Sequence, residues 1–157
     1  MSQSLYDVLL TIHSAGRWVV LLLLLLAIFN HMAAGNRPYG NGDRKLSLFL
    51  MIAADLMLLV GIIQWFTSSN WGYSQIKAAG MQGVMQNSVT RFFTIEHMVG
   101  MILAIALIHI GKAQGKKNMA DRAKHRRTMI FYFLALLIMV ASIPWPFREV
   151  GANRGWI

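Results

Sequence analysis

The sequence predicts an all-α integral membrane protein, an up-down four-helix bundle with its N-terminus and C-terminus outside. Three observations predict it. Of the 157 residues, 56% are hydrophobic and only 13% are charged, too apolar for an ordinary soluble domain and too short for a separate soluble module beside several spans. Four stretches, 8–29, 46–66, 92–110 and 129–145, approach the roughly 20 apolar residues that cross a hydrocarbon core of about 30 Å. The basic residues, finally, concentrate in alternate loops. One membrane domain, residues 1–157, is expected.

Val8 to Phe29 forms the first span. No basic residue precedes it, Arg17 lies inside it and three more spans follow, so it does not read as a cleaved secretory signal. Asn36 to Asp43 is dense in turn formers and should reverse the chain into the second span, Leu46 to Phe66, making the two helices antiparallel neighbours. Between Thr67 and Thr90 polarity rises, yet Ile76, Met81, Val84, Met85 and Val89 recur at helical spacing, which predicts a short interfacial helix. The third span is Phe92 to Ile110. The fourth, Met129 to Trp145, ends in Ile143-Pro144-Trp145-Pro146-Phe147, because each proline lacks a backbone donor and disfavours helix in the residue before it. Trp65, Trp71, Tyr73, Trp145 and Trp156 fall at or beyond the outer ends of spans, where amphipathic rings favour the headgroup layer.

The charge distribution orients the chain. The loop after the third span carries Lys112, Lys116, Lys117, Arg122, Lys124, Arg126 and Arg127, and the loop after the first carries Arg37, Arg44 and Lys45. The opposite side has only Lys77, Arg91, Arg148 and Arg154. The positive-inside rule therefore places both basic loops in the cytoplasm. The net charge of +9 is accounted for by insertion and anionic lipid headgroups, with no nucleic-acid partner required. His125, beside Lys124, Arg126 and Arg127, reads as a solvated loop residue. With no cysteine, disulfides, thiolate metal sites, iron–sulfur clusters and covalently linked haem are excluded.

Polar residues at membrane depth carry the functional signal. The first and third helices run in the same direction, and His13 and His97 each lie roughly 6 to 9 Å inside a helix start at 1.5 Å per residue. Two imidazoles at one depth on two helices of a bundle are the arrangement that ligates haem iron axially. A weaker pair, His31 and His109, lies toward the cytoplasm. His13 and His31 are about five turns apart and share a face, but His97 and His109 do not, so one haem is expected rather than two. Arg17, Asp55 and Glu96 are charges inside the bilayer, each costing about 2.5 to 3.5 kcal/mol at a helix centre. They read as one cluster in the outward half. As a structural network, Arg17 would join Asp55 or Glu96 and lock three helices together. As a functional one, Arg17 or Arg91 would neutralise haem propionates and Asp55 and Glu96 would relay protons.

His13-Ser14 with Arg17-Trp18, Arg91-Phe92-Phe93 with Glu96-His97, the lysine-rich loop ending Lys124-His125-Arg126-Arg127, Phe131-Tyr132 and Ile143-Pro144-Trp145-Pro146 together resemble a family of small bacterial four-helix membrane proteins often labelled cytochrome b-like. The resemblance covers nearly the whole chain. One departure is Asp55, where relatives often carry histidine. A looser likeness, of architecture alone, is to the small membrane protoporphyrinogen oxidases. The resemblance implies a bacterial inner membrane location, haem b as cofactor, and electron transfer with quinol as a partner. The alternative expectation is a non-catalytic subunit packed in a larger respiratory, photosynthetic or secretion complex, or a homo-oligomer, whose eleven methionines supply adaptable packing surface.

Overall fold

The computed structural model describes residues 3–151, so Arg154 and Trp156 lie outside the described residues. Five helices follow in order: α1 (Gln3–Met32), α2 (Asn41–Thr67), α3 (Tyr73–Gln86), α4 (Ser88–Gln114) and α5 (Asp121–Ser142), then a 3-10 turn at Glu149–Gly151. No strand occurs among the described residues. Four of the helices, all but α3, are long and apolar enough to cross a membrane. Only 17% to 28% of the most apolar window of each is buried inside the chain. Large side chains such as Leu22, Phe29, Phe49, Leu59 and Leu103 point outward, an apolar surface far beyond what a soluble monomer exposes and suited to lipid.

Each long helix starts before its apolar stretch, and the difference matters most for α5. The stretch begins at Met129, but the helix begins at Asp121. Arg122, Lys124, Arg126 and Arg127 therefore sit on its first two turns rather than in a loop. The helix stops at Ser142, with Ile143 already extended (φ −79°, ψ 134°) before Pro144, as a residue preceding proline requires. The α1–α2 connection closes around Asp43, whose carboxylate accepts the Gly40 N–H at 2.8 Å, satisfying a donor at the α2 N-terminus. A helix does form between the second and third spans. It is broken at Gly80, where φ is +66°, a conformation that glycine adopts without penalty.

Neighbours alternate in direction. α1 packs on α2 and α5, and α4 packs on α5 and α2, so α1 and α4 lie diagonally. The start of α1 meets the end of α2 at His13 and Gly61. The end of α2 meets the start of α4 at Trp65 and Thr94, and the end of α1 meets the start of α5 at His31 and His125. Below, "upper" denotes the end where α1 begins and "lower" the opposite end. In the interior, Ala27, Ala54, Ala104 and Ala135 are buried at 0% to 1% exposure, one from each long helix. Small side chains there let the backbones approach closely, the packing that holds helices together where burial from water cannot. Leu24, Leu50, Ile108 and Met139 fill the remaining interior.

Candidate functional site: two histidine pairs

The upper pair is His13 and His97. Their ring centroids are 6.1 Å apart, with planes at 72°, and both line a cavity of about 450 Å³ that Arg17 also borders. Three local features aim the rings. Gly61 on α2 leaves room for His13, because a β-carbon there would stand 3.2 Å from His13 Cε1. On α4, His97 Nδ1 donates to the Ser142 carbonyl of the neighbouring α5 at 2.7 Å. Gly100 brings α5 close enough for that bond, since any side chain at 100 would collide with Ser142. Third, residues Phe92–Glu96, immediately before His97, form a π-helical turn. The extra residue in that turn rotates everything after it, and such turns recur at functional sites. The Thr94 carbonyl inside the turn accepts the Trp65 indole N–H at 2.8 Å, pinning it to α2.

The residues of this cavity fit a haem. A metal–imidazole bond of about 2 Å puts two rings that coordinate one ion from opposite sides roughly 6 Å apart between centroids, and the pair stands at 6.1 Å. His97 Nδ1 is committed to a backbone carbonyl, which leaves the lone pair on Nε2 available to a ligand and is the usual outer bond of a metal-binding histidine. The His13 ring faces the Met57 carbonyl, but its buried Nδ1 falls short of a hydrogen bond. Met57, Met98, Met101 and Met139 contribute to a mainly apolar wall. The volume falls within the roughly 300–1,000 Å³ of cofactor pockets.

The other sequence-predicted residues separate from this site. Arg91 pairs with Glu96 at 2.6 Å, both more than a third exposed, in a surface recess shared with Arg148. Of the two propionate candidates, only Arg17 borders the cavity. Asp55 bonds His109 at 2.8 Å, with both side chains more than 40% exposed on the outer surface of α2 and α4. Arg17, Asp55 and Glu96 thus do not form one cluster, because Asp55 and Glu96 point away from the interior face that Arg17 shares with His13. Trp65 and Trp71 also line the cavity.

The lower pair is a correction. His31 does not meet His109; its partner is His125, Nδ1 to Nδ1 at 2.8 Å. His125 is 2% exposed rather than solvated, because α5 begins early enough to turn it inward. Tyr39 stacks on His31, with centroids 5.6 Å apart and planes at 9°. Beside them Asp43, 1% exposed, accepts from Asn30, from both terminal nitrogens of Arg37 and from Gly40. Hydrogen bonding to Asp43 raises the Arg37 guanidinium above its ordinary range, so Arg37 stays charged at any physiological pH. The signal for this cluster is in the sequence. His125, Thr128, Tyr132, Ala135 and Met139 recur at alternating three- and four-residue steps, as do Asp43, Ser47, Leu50 and Ala54, and all are buried; these are interior stripes that turn polar at one end.

No family model, no curated protein and no solved structure matches this chain.

Proposed function

We propose that the chain is a b-type haem protein of the bacterial inner membrane, an up-down four-helix bundle with both termini on the outer face, that takes part in electron transfer with quinol. The observation that carries this reading is the 6.1 Å approach of His13 and His97 across a cavity between diagonal helices. The crowding of basic residues at the lower end supports the orientation, through the positive-inside rule. His13 and His97 would hold the iron and Arg17 would offset propionate charge; the bound haem supplies one-electron chemistry. Around it, the chain's own work is to hold His97 in one tautomer through Ser142 and to keep water out with apolar and methionine side chains. A reduced-minus-oxidised absorption spectrum of the detergent-purified protein tests this. The expected α and Soret bands of a b-type haem disappear in His13→Ala and His97→Ala and persist in His109→Ala. A folded but colourless protein overturns it.

One observation favours the second reading, a subunit of a larger membrane complex or homo-oligomer. The Asp55–His109 pair is exposed on the outer surface of helices that face lipid, where ionisable groups normally turn inward or meet a partner. Copurification of a complex or a higher oligomer, lost in Asp55→Asn, supports that reading.

A further inference from the structure

The lower cluster contains more than the packing of apolar helices calls for. His31, Asp43 and His125 come from three different helices and are 3%, 1% and 2% exposed. A ligand-capable atom from each lies within 4.8 Å of the other two. We propose that these three residues form a metal site, distinct from the upper cavity, for a divalent first-row transition ion of the zinc type.

The hydrogen bonds define which atoms face the site. A backbone carbonyl can only accept, so His125 Nε2, 3.1 Å from the Arg37 carbonyl, carries that ring's proton, and Nδ1 presents its lone pair to His31. A carbonyl holding the far N–H is the usual support of a ligating histidine. Two lone pairs do not face each other at 2.8 Å, so without an ion His31 Nδ1 donates its proton to His125 Nδ1. His31 Nε2 is then a buried nitrogen with no hydrogen-bond partner, the kind of exception that calls for an explanation in a buried polar network. Binding of M²⁺ between the Nδ1 atoms moves the His31 proton from Nδ1 to Nε2, a change of tautomer with no net proton release.

Asp43 brings the charge. Its Oδ1 accepts from Asn30 Nδ2 at 2.7 Å and from Arg37 Nη2 at 2.7 Å. Exchanging the neutral Asn30 donor for the ion leaves the Arg37 fork in place to orient the carboxylate. Two imidazoles and one carboxylate suit zinc, cobalt or ferrous iron rather than magnesium or calcium. Three protein ligands leave a fourth position for water. Two nitrogens on one tetrahedral ion at about 2 Å stand roughly 3.3 Å apart, so the rings need open by only about half an ångström, and the ion would cross-link α1, α2 and α5.

Cobalt(II) titration of the metal-stripped, full-length protein in detergent tests the site. One equivalent should give the intense visible bands of tetrahedral cobalt, and one equivalent of zinc should bleach them. His31→Ala and His125→Ala should abolish the bands, and Asp43→Asn should weaken binding at least tenfold. Should an alanine variant fail to elute as folded protein, His125→Gln replaces it. His97→Ala should leave the cobalt bands intact, which separates this site from the haem reading: either can fail alone. Absent or octahedral-type bands, stoichiometric binding that survives His125→Gln, or bands lost in His97→Ala would overturn the proposal.

Discussion

The two ends of the molecule use the same chemical parts at different spacing. At the upper end two imidazoles face each other at 6.1 Å across a cavity of about 450 Å³; at the lower end two imidazoles touch at 2.8 Å between Nδ1 atoms, closed in by Tyr39 and Asp43. One helix serves both, since His13 and His31 share a face of α1. What differs is the partner helix. His97 lies on α4, diagonal to α1, so the rings meet with the width of the interior between them. His125 lies on α5, an immediate neighbour. Helix adjacency, rather than residue type, decides whether a histidine pair spans a cavity or closes on itself.

The contrast can be broken at the upper end first. On the proposed haem reading, His97→Ala or His13→Ala should remove the b-type spectrum altogether while leaving cobalt binding at the lower end unchanged. Losing both signals in either variant would mean that the ends are not separate. Next in size, Gly100→Leu forces a side chain into Ser142, and overpacking of this kind costs about 1–3 kcal/mol. Thermal unfolding in detergent should register it, together with lower haem occupancy as His97 loses its carbonyl. Trp65→Phe removes the indole bond to Thr94, worth about 0.5–1.5 kcal/mol, and should broaden the haem bands before it lowers stability measurably. The smallest effect belongs to Asp55→Asn. Asparagine keeps a side-chain oxygen that can accept from His109, so the isolated protein should lose less than the roughly 0.5–1.5 kcal/mol of one whole hydrogen bond. A larger change, seen only in a copurified assembly, would mark that surface as a contact.

The four long apolar helices were legible in the sequence, because a span is defined by length and hydropathy and needs no tertiary information. The common level of His13 and His97 was legible too, since both lie one to two turns inside the starts of co-directional helices; that their rings turn toward each other is what the structure adds. Side-chain facing was harder. Asp55 turns to His109 and Glu96 to Arg91 on the outer surface, and position along a helix alone cannot separate an inward from an outward residue. His125 was hidden by its neighbours: Lys124, Arg126 and Arg127 suggest a loop, and only the three-and-four spacing onward to Met139 signals that the helix already includes His125; the structure starts it at Asp121. The π turn left no mark in composition; its Thr94 carbonyl is held by Trp65 of α2, a contact between helices that hydropathy does not report.

That turn makes the aim of His97 a matter of counting. A π turn holds one residue more than the α-helix needs, so if residues 92–96 wound as regular helix with every residue kept, all positions after them would turn by about 100° about the axis relative to those before. The ring of His97 would then swing away from His13 with no change in the sequence. The winding of five residues therefore acts as the setting that points this histidine into the molecule or out of it.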